Sequence, residues 1–129
     1  MFEQEQVSNY KELDLINALR DFLPIAIKHL DLDHVPKIHL VKELHDTHVP
    51  TFGRFENDSR EISVVIANRN PVDIIRTLAH ELTHYSQGVQ NKLDHESGKT
   101  GSPEENEANS TAGIIMRKFS MKHPEYMKS

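Results

Sequence analysis

Cysteine is absent from this 129-residue chain. That removes a disulfide framework and any thiolate metal site, so a transition-metal centre would have to be built from His, Asp or Glu. Basic charge is in deficit: 15 Lys and Arg against 20 Asp and Glu give a formal net charge of −5. Such a balance argues against a general nucleic-acid binder, which carries a basic patch. No stretch approaches the roughly 20 apolar residues that span a bilayer. The first ten residues lack the basic start and apolar run of a secretion signal. A cytoplasmic protein without a membrane partner is the simplest expectation. Internal repeats and low-complexity blocks are also lacking.

What is present is ordinary for a soluble globular domain: 36% apolar and 27% charged residues. The length suits one domain, 1–129, with one core. Residues 9–30 read as a helix, with Leu13, Ile16, Leu19 and Leu23 at steps of three and four and Leu15, Phe22 and Ala26 widening the stripe. Ser8 or Asn9 is its candidate cap, and Pro24 is expected to bend it or divide it in two. Ile38 and Leu40, with Leu44 a possible extension, alternate with polar residues as in a half-exposed strand. Residues 51–55 form a short strand candidate, 56–59 have turn composition, and 61–67 are β-branched and mostly apolar. A three-stranded antiparallel sheet with a hairpin is the expectation.

Helix signals return at Asn70 (N-cap), Pro71 (first helical position) and Asp73 (first-turn acid), and Gly88 is the expected stop. Residues 89–102 read as a long polar loop. Ser102 and Glu105 have capping-box spacing around Pro103, opening a last helix with Ala108, Ala112, Ile115 and Phe119 on its buried face.

The second helix carries His80-Glu81-Leu82-Thr83-His84. Histidines four apart lie one above the other on a helix, so both imidazoles reach one ion. Zinc accepts nitrogen donors in tetrahedral geometry, and a catalytic site needs one further protein ligand and an open position for water. Glu81 follows the first histidine and faces the water rather than the ion, which suits a general base. Ile75, Leu78, Leu82 and Tyr85 mark one face for packing; Thr77, His80, Glu81 and His84 mark another for a cleft.

The third ligand must be Asp, Glu or His. A third histidine six residues after His84 is excluded by Gln90, and His95 lies in the loop. Glu104, Glu105 and Glu107 remain, at the start of the last helix. Glu105 has a competing capping role, and Glu107 borders the buried face, so Glu107 is the preferred ligand and Glu104 the next. Ser97-Gly98-Lys99-Thr100 lacks the upstream glycine and strand of a phosphate loop and reads as a flexible connection. Tyr85, His95, His123 and Tyr126 are candidate oxyanion donors, with Tyr85 favoured as core and the tail expected to lack order. The remaining histidines read as surface residues.

The segment from Arg76 to Tyr85 resembles the active-site helix of the ImmA/IrrE-type metallopeptidases. Glu107-Ala108-Asn109, followed by Ala112 and Ile114-Ile115-Met116, resembles the second helix of that family, which carries its glutamate ligand. Asn106-Glu107-Ala108 is also similar to the glutamate segment of thermolysin-type gluzincins. The resemblance covers about residues 60–118, and small stand-alone chains of this kind resemble metallopeptidase-like proteins of bacteriophage genomes. It implies a zincin-like α+β fold with a metal-binding core at about 60–120, and Zn²⁺ held by His80, His84 and Glu107. It further implies Glu81 as catalytic base, a protein or peptide substrate, and the host cytoplasm as location for a phage-encoded chain. Where thermolysin-type enzymes carry an aspartate four residues after the glutamate ligand, to orient a histidine, counting from Glu107 reaches Thr111. The alternatives are a metal-containing binding or virion-assembly module and a narrowly specific, repressor-cleaving regulator.

Overall fold

The computed structural model describes residues 2–4, 10–44, 51–91, 93 and 101–127. The expectations placed on Ser8, Asn9, His45, His48, His95 and the segment 97–100 fall outside them.

The fold is α+β. In chain order it comprises β1 (Phe2–Gln4), α1 (Tyr10–Leu30), β2 (Ile38–Val41), β3 (Gly53–Glu56), β4 (Glu61–Val65), α2 (Pro71–Val89), α3 (Pro103–Lys122) and a closing 3-10 turn (Pro124–Met127). Helix α1 is a single element despite Pro24. Pro24 and Arg20, whose carbonyl lies four residues earlier, are both exposed, so the carbonyl that loses its partner faces water.

The sheet corrects the expected antiparallel arrangement: it is mixed. Its order is β1-β2-β4-β3, with β1 and β4 each parallel to β2, and β3 antiparallel to β4. The local hairpin (β3–β4) was readable because its turn joins strands adjacent in sequence. The parallel pairing of Ile38–Val41 with Ile62–Val65 depends on a connection that places β3 at the edge instead of between them. Alternation in β2, where Ile38 and Leu40 are fully buried, is the same for either direction of pairing.

Helix α2 is the central element and touches β3, β4, α1 and α3. Its Ile74, Ile75, Leu78 and Leu82 join Leu19 and Phe22 of α1, Ile38, Leu40, Ile62 and Val64 of the sheet, and Ile115 and Phe119 of α3 in one core. Phe22 and Phe119 meet edge to face at 5.6 Å between ring centroids. The helix runs to Val89, past the expected stop at Gly88. Gly88 is there for packing: a Cβ on it would lie 2.6 Å from Asn57 Oδ1 and 3.2 Å from the Phe55 ring. The C-terminal turn is also ordered against the domain, contrary to expectation. Tyr126 stacks on Phe119 at 5.5 Å, and its hydroxyl donates to Asp21 Oδ2 at 2.6 Å.

Candidate metal centre

Helix α2 starts where Asn70 accepts the Asp73 amide at 3.0 Å and Pro71 occupies the first turn. The core residues Leu78 and Leu82 then fix its rotation, so that His80, Glu81 and His84 look towards α3 and β3. Helix α3 starts in the same way, with Ser102 Oγ accepting the Glu105 amide at 3.0 Å.

The two imidazoles meet at 4.8 Å between centroids, and both direct Nε2 at one carboxylate. His80 Nε2 lies 2.7 Å from Glu105 Oε1, and His84 Nε2 lies 3.1 Å from Glu105 Oε2. The acid that lies with the two histidines is therefore Glu105, and Glu107, the expected ligand, is not in the cluster. Glu107 is exposed, and its Oε1 accepts a hydrogen bond from Gln87 Nε2 at 2.8 Å. Glu104 does not enter the cluster either; its backbone carbonyl accepts from the same Gln87 nitrogen at 2.8 Å. The reason is helical phase. Ala108, Ala112, Ile115 and Phe119 are buried at steps of four, three and four, and stepping back three from Ala108 reaches Glu105. Glu107 lies only one residue away, about 100° around the helix. That phase was present in the sequence and was outweighed there by the capping role given to Glu105. The backbone amide of Glu105 serves the cap while its carboxylate reaches the histidines.

Glu81 is 8% exposed. Burial, reinforced by the negative charge of Glu105, pushes its carboxyl up to about 8. Burial also holds His80 below the ordinary histidine value, against the opposing pull of Glu105, which favours a neutral ring with a free lone pair. Asn109, four residues after Glu105, pulls on the His80 ring in the same direction as Glu105.

Strand β3 passes directly over this face. A Cβ on Gly53 would fall 2.5 Å from Thr77 Cγ2 and 2.9 Å from Glu81 Oε2, so only glycine permits the approach. A glycine inside a strand was the available signal for it. Beside Glu81 opens a cleft of 630 Å³ that runs along the first half of α2 and includes Phe52, Arg69, Asp73, Arg76, Thr77 and His80. Arg69 braces its wall by donating to the carbonyls of Val65 and Asp73 (both 3.0 Å) and to Thr77 Oγ1 (2.7 Å). Its guanidinium lies 4.3 Å from the centroid of the exposed Phe52 ring.

Family models, curated proteins and solved structures yield no match to this chain.

The donor set is thus judged on its own chemistry. His80, His84 and Glu105 offer three ligand atoms within 4.8 Å of one another. Two imidazoles and one carboxylate suit zinc or a neighbouring transition metal, and three protein donors leave a coordination position open. A tetrahedron with bonds of about 2.0–2.2 Å has edges of about 3.4 Å, between the 2.7 Å of the shortest donor contact and the 4.8 Å that bounds the set. The residues fit. Of the candidate oxyanion donors, Tyr85 is buried in the core with its hydroxyl 3.0 Å from His34 Nε2. His123 and Tyr126 pack around Asp21 and Phe119 instead.

Proposed function

We propose that this chain is a zinc-dependent peptidase, with His80, His84 and Glu105 holding the metal and Glu81 as general base and then general acid. The observation that carries the reading is the convergence of those three donors beside a buried carboxyl. Zinc bound by such a set supplies Lewis-acid polarisation of a carbonyl and lowers the pKa of water towards 7. Glu81 takes one proton from the water as the new carbon–oxygen bond forms, and delivers it to the departing nitrogen as the carbon–nitrogen bond breaks.

The substrate class follows from the surroundings of Glu81. Strand β3 is the edge of the sheet and touches α2 at that residue. An extended peptide laid along β3 by main-chain hydrogen bonds crosses the catalytic carboxyl, and the 630 Å³ cleft receives a neighbouring side chain. The resemblance to ImmA/IrrE-type and thermolysin-type enzymes implies Glu107 as ligand, so only its histidine helix, Arg76 to Tyr85, supports this reading.

The test is elemental mass spectrometry of the purified protein, with cleavage of a mixed peptide library. About one zinc per chain is expected, lost in Glu105→Ala and kept in Glu107→Ala, with cleavage abolished in Glu81→Gln. A wild-type chain that takes up no zinc when supplied with it would overturn the proposal.

A further inference from the structure

Gln87 is the one long polar side chain of α2 that is almost wholly buried, at 2% exposure, and neither packing nor the catalytic reading accounts for it. Its amide nitrogen donates to the carbonyl oxygen of Glu104 and to Glu107 Oε1, both at 2.8 Å. A backbone carbonyl can only accept, so the nitrogen has to be on that side and the amide oxygen on the other. That oxygen lies 2.7 Å from His84 Nδ1. An amide oxygen has no proton to give, so the hydrogen between them belongs to His84 Nδ1. Nε2 is then the nitrogen that faces Glu105 Oε2 at 3.1 Å, a hydrogen-bond contact whose proton a metal ion would displace.

We infer that Gln87, locked in place by Glu107, is a positioning residue that holds His84 in its Nδ1–H tautomer with the Nε2 lone pair directed into the metal centre. The inference rests on the metal-centre reading for its consequence, and on the hydrogen bonds alone for its geometry. It gives Glu107 a definite task one step outside the ligand set: the exposed carboxylate anchors the amide, and the amide orients the imidazole. The amide adds no negative charge to a site that already contains Glu81 and Glu105. Losing such an outer partner weakens metal binding typically 10- to 100-fold without removing a ligand.

The experiment has two readouts. Long-range proton–nitrogen spectra of isotope-labelled, metal-free protein report the His84 tautomer. Competition with a chromophoric chelator reports zinc affinity, and melting in excess chelator confirms that each variant is folded. Wild type is expected to show the Nδ1–H form. Gln87→Met is expected to lose that preference and to bind zinc about 10- to 100-fold more weakly. Glu107→Ala, a surface change, shifts both readouts in the same direction and by less. Glu107→Gln keeps an oxygen that accepts from the Gln87 amide nitrogen, so it restores the tautomer and most of the affinity lost in Glu107→Ala. A purely structural role for Gln87 would show no such rescue. An Nε2–H form in wild type, or unchanged affinity in folded Gln87→Met and in Glu107→Ala, would overturn the inference. Should wild type bind no zinc, the peptidase proposal falls, while the tautomer of His84 still decides the relay.

Discussion

Replacing Glu81 by glutamine should make the metal-free protein more stable and, on the proposed peptidase reading, abolish cleavage. In the folded chain the Glu81 carboxyl is raised to about 8 from an ordinary 4.5, first by burial and then by the charge of Glu105. A raised carboxyl favours folding fully only below 4.5, and that contribution is lost progressively as pH rises to about 8, because the unfolded chain ionises first. At pH 7 the difference spans about 2.5 pH units, or about 3 kcal/mol at 1.36 kcal/mol per unit. That is a large share of the 5–15 kcal/mol that holds a typical domain together. Glutamine has nearly the same shape and no charge to bury. In excess chelator, Glu81→Gln should therefore match wild type near pH 4.5 and melt roughly 10 °C higher at pH 7. Comparing the two proteins at each pH cancels the titration of the other histidines and acids. With zinc restored, the ranking in activity is opposite: the variant keeps its metal and loses about 10²- to 10⁴-fold in turnover. A stability advantage that does not grow between pH 5 and pH 8 would refute the burial argument. Full activity in the variant would refute the role of Glu81.

Other perturbations follow from the same geometry. Gly53→Ala forces a methyl to 2.5 Å from Thr77 Cγ2 and 2.9 Å from Glu81 Oε2; it should cost about 1–3 kcal/mol in urea unfolding and displace the Glu81 carboxyl, which on the proposed reading lowers kcat. Asn70→Ala removes the side-chain acceptor of the Asp73 amide and should cost about 1 kcal/mol by thermal denaturation. Chelating zinc should lower the melting temperature of wild type, by about 2.7 kcal/mol of lost stabilisation where free zinc had stood at 100 times its Kd. The same chelator should leave the melting of Glu105→Ala unchanged.

The helical part of this protein was legible because its signals are local. Asn70 with Pro71, and Ser102 with Pro103, cap α2 and α3 as their side-chain chemistry dictates. His80 and His84 could be placed on one helical face from spacing alone, and that face is the one that meets Glu105. Gly88 and Pro24 misled, since each was read as a punctuation of the backbone. Gly88 answers to a neighbouring hairpin, and Pro24 sits where an unpaired carbonyl is hydrated. The 3-10 turn at Pro124–Met127 was missed because its order comes from the Phe119 ring and the Asp21 carboxylate, more than 100 residues apart in sequence for Tyr126 and Asp21.

By itself, then, the sequence determined the α+β class, the capped helices, the buried stripes and the pairing of two histidines with a glutamate between them. All of these depend on residues within about one or two helical turns or along one strand, where periods of 3.6 and 2.0 set which side chains share a face. The tertiary structure decided the rest. It chose parallel pairing of β2 with β4, brought β3 to the edge above Glu81, and selected Glu105 over Glu107 by the rotation at which α3 packs on α2. Those choices arise from packing between elements far apart in the chain: a rotation of about 160° about a helix axis leaves the local sequence signals almost unchanged, yet it exchanges Glu105 for Glu107 as the carboxylate that faces the histidines.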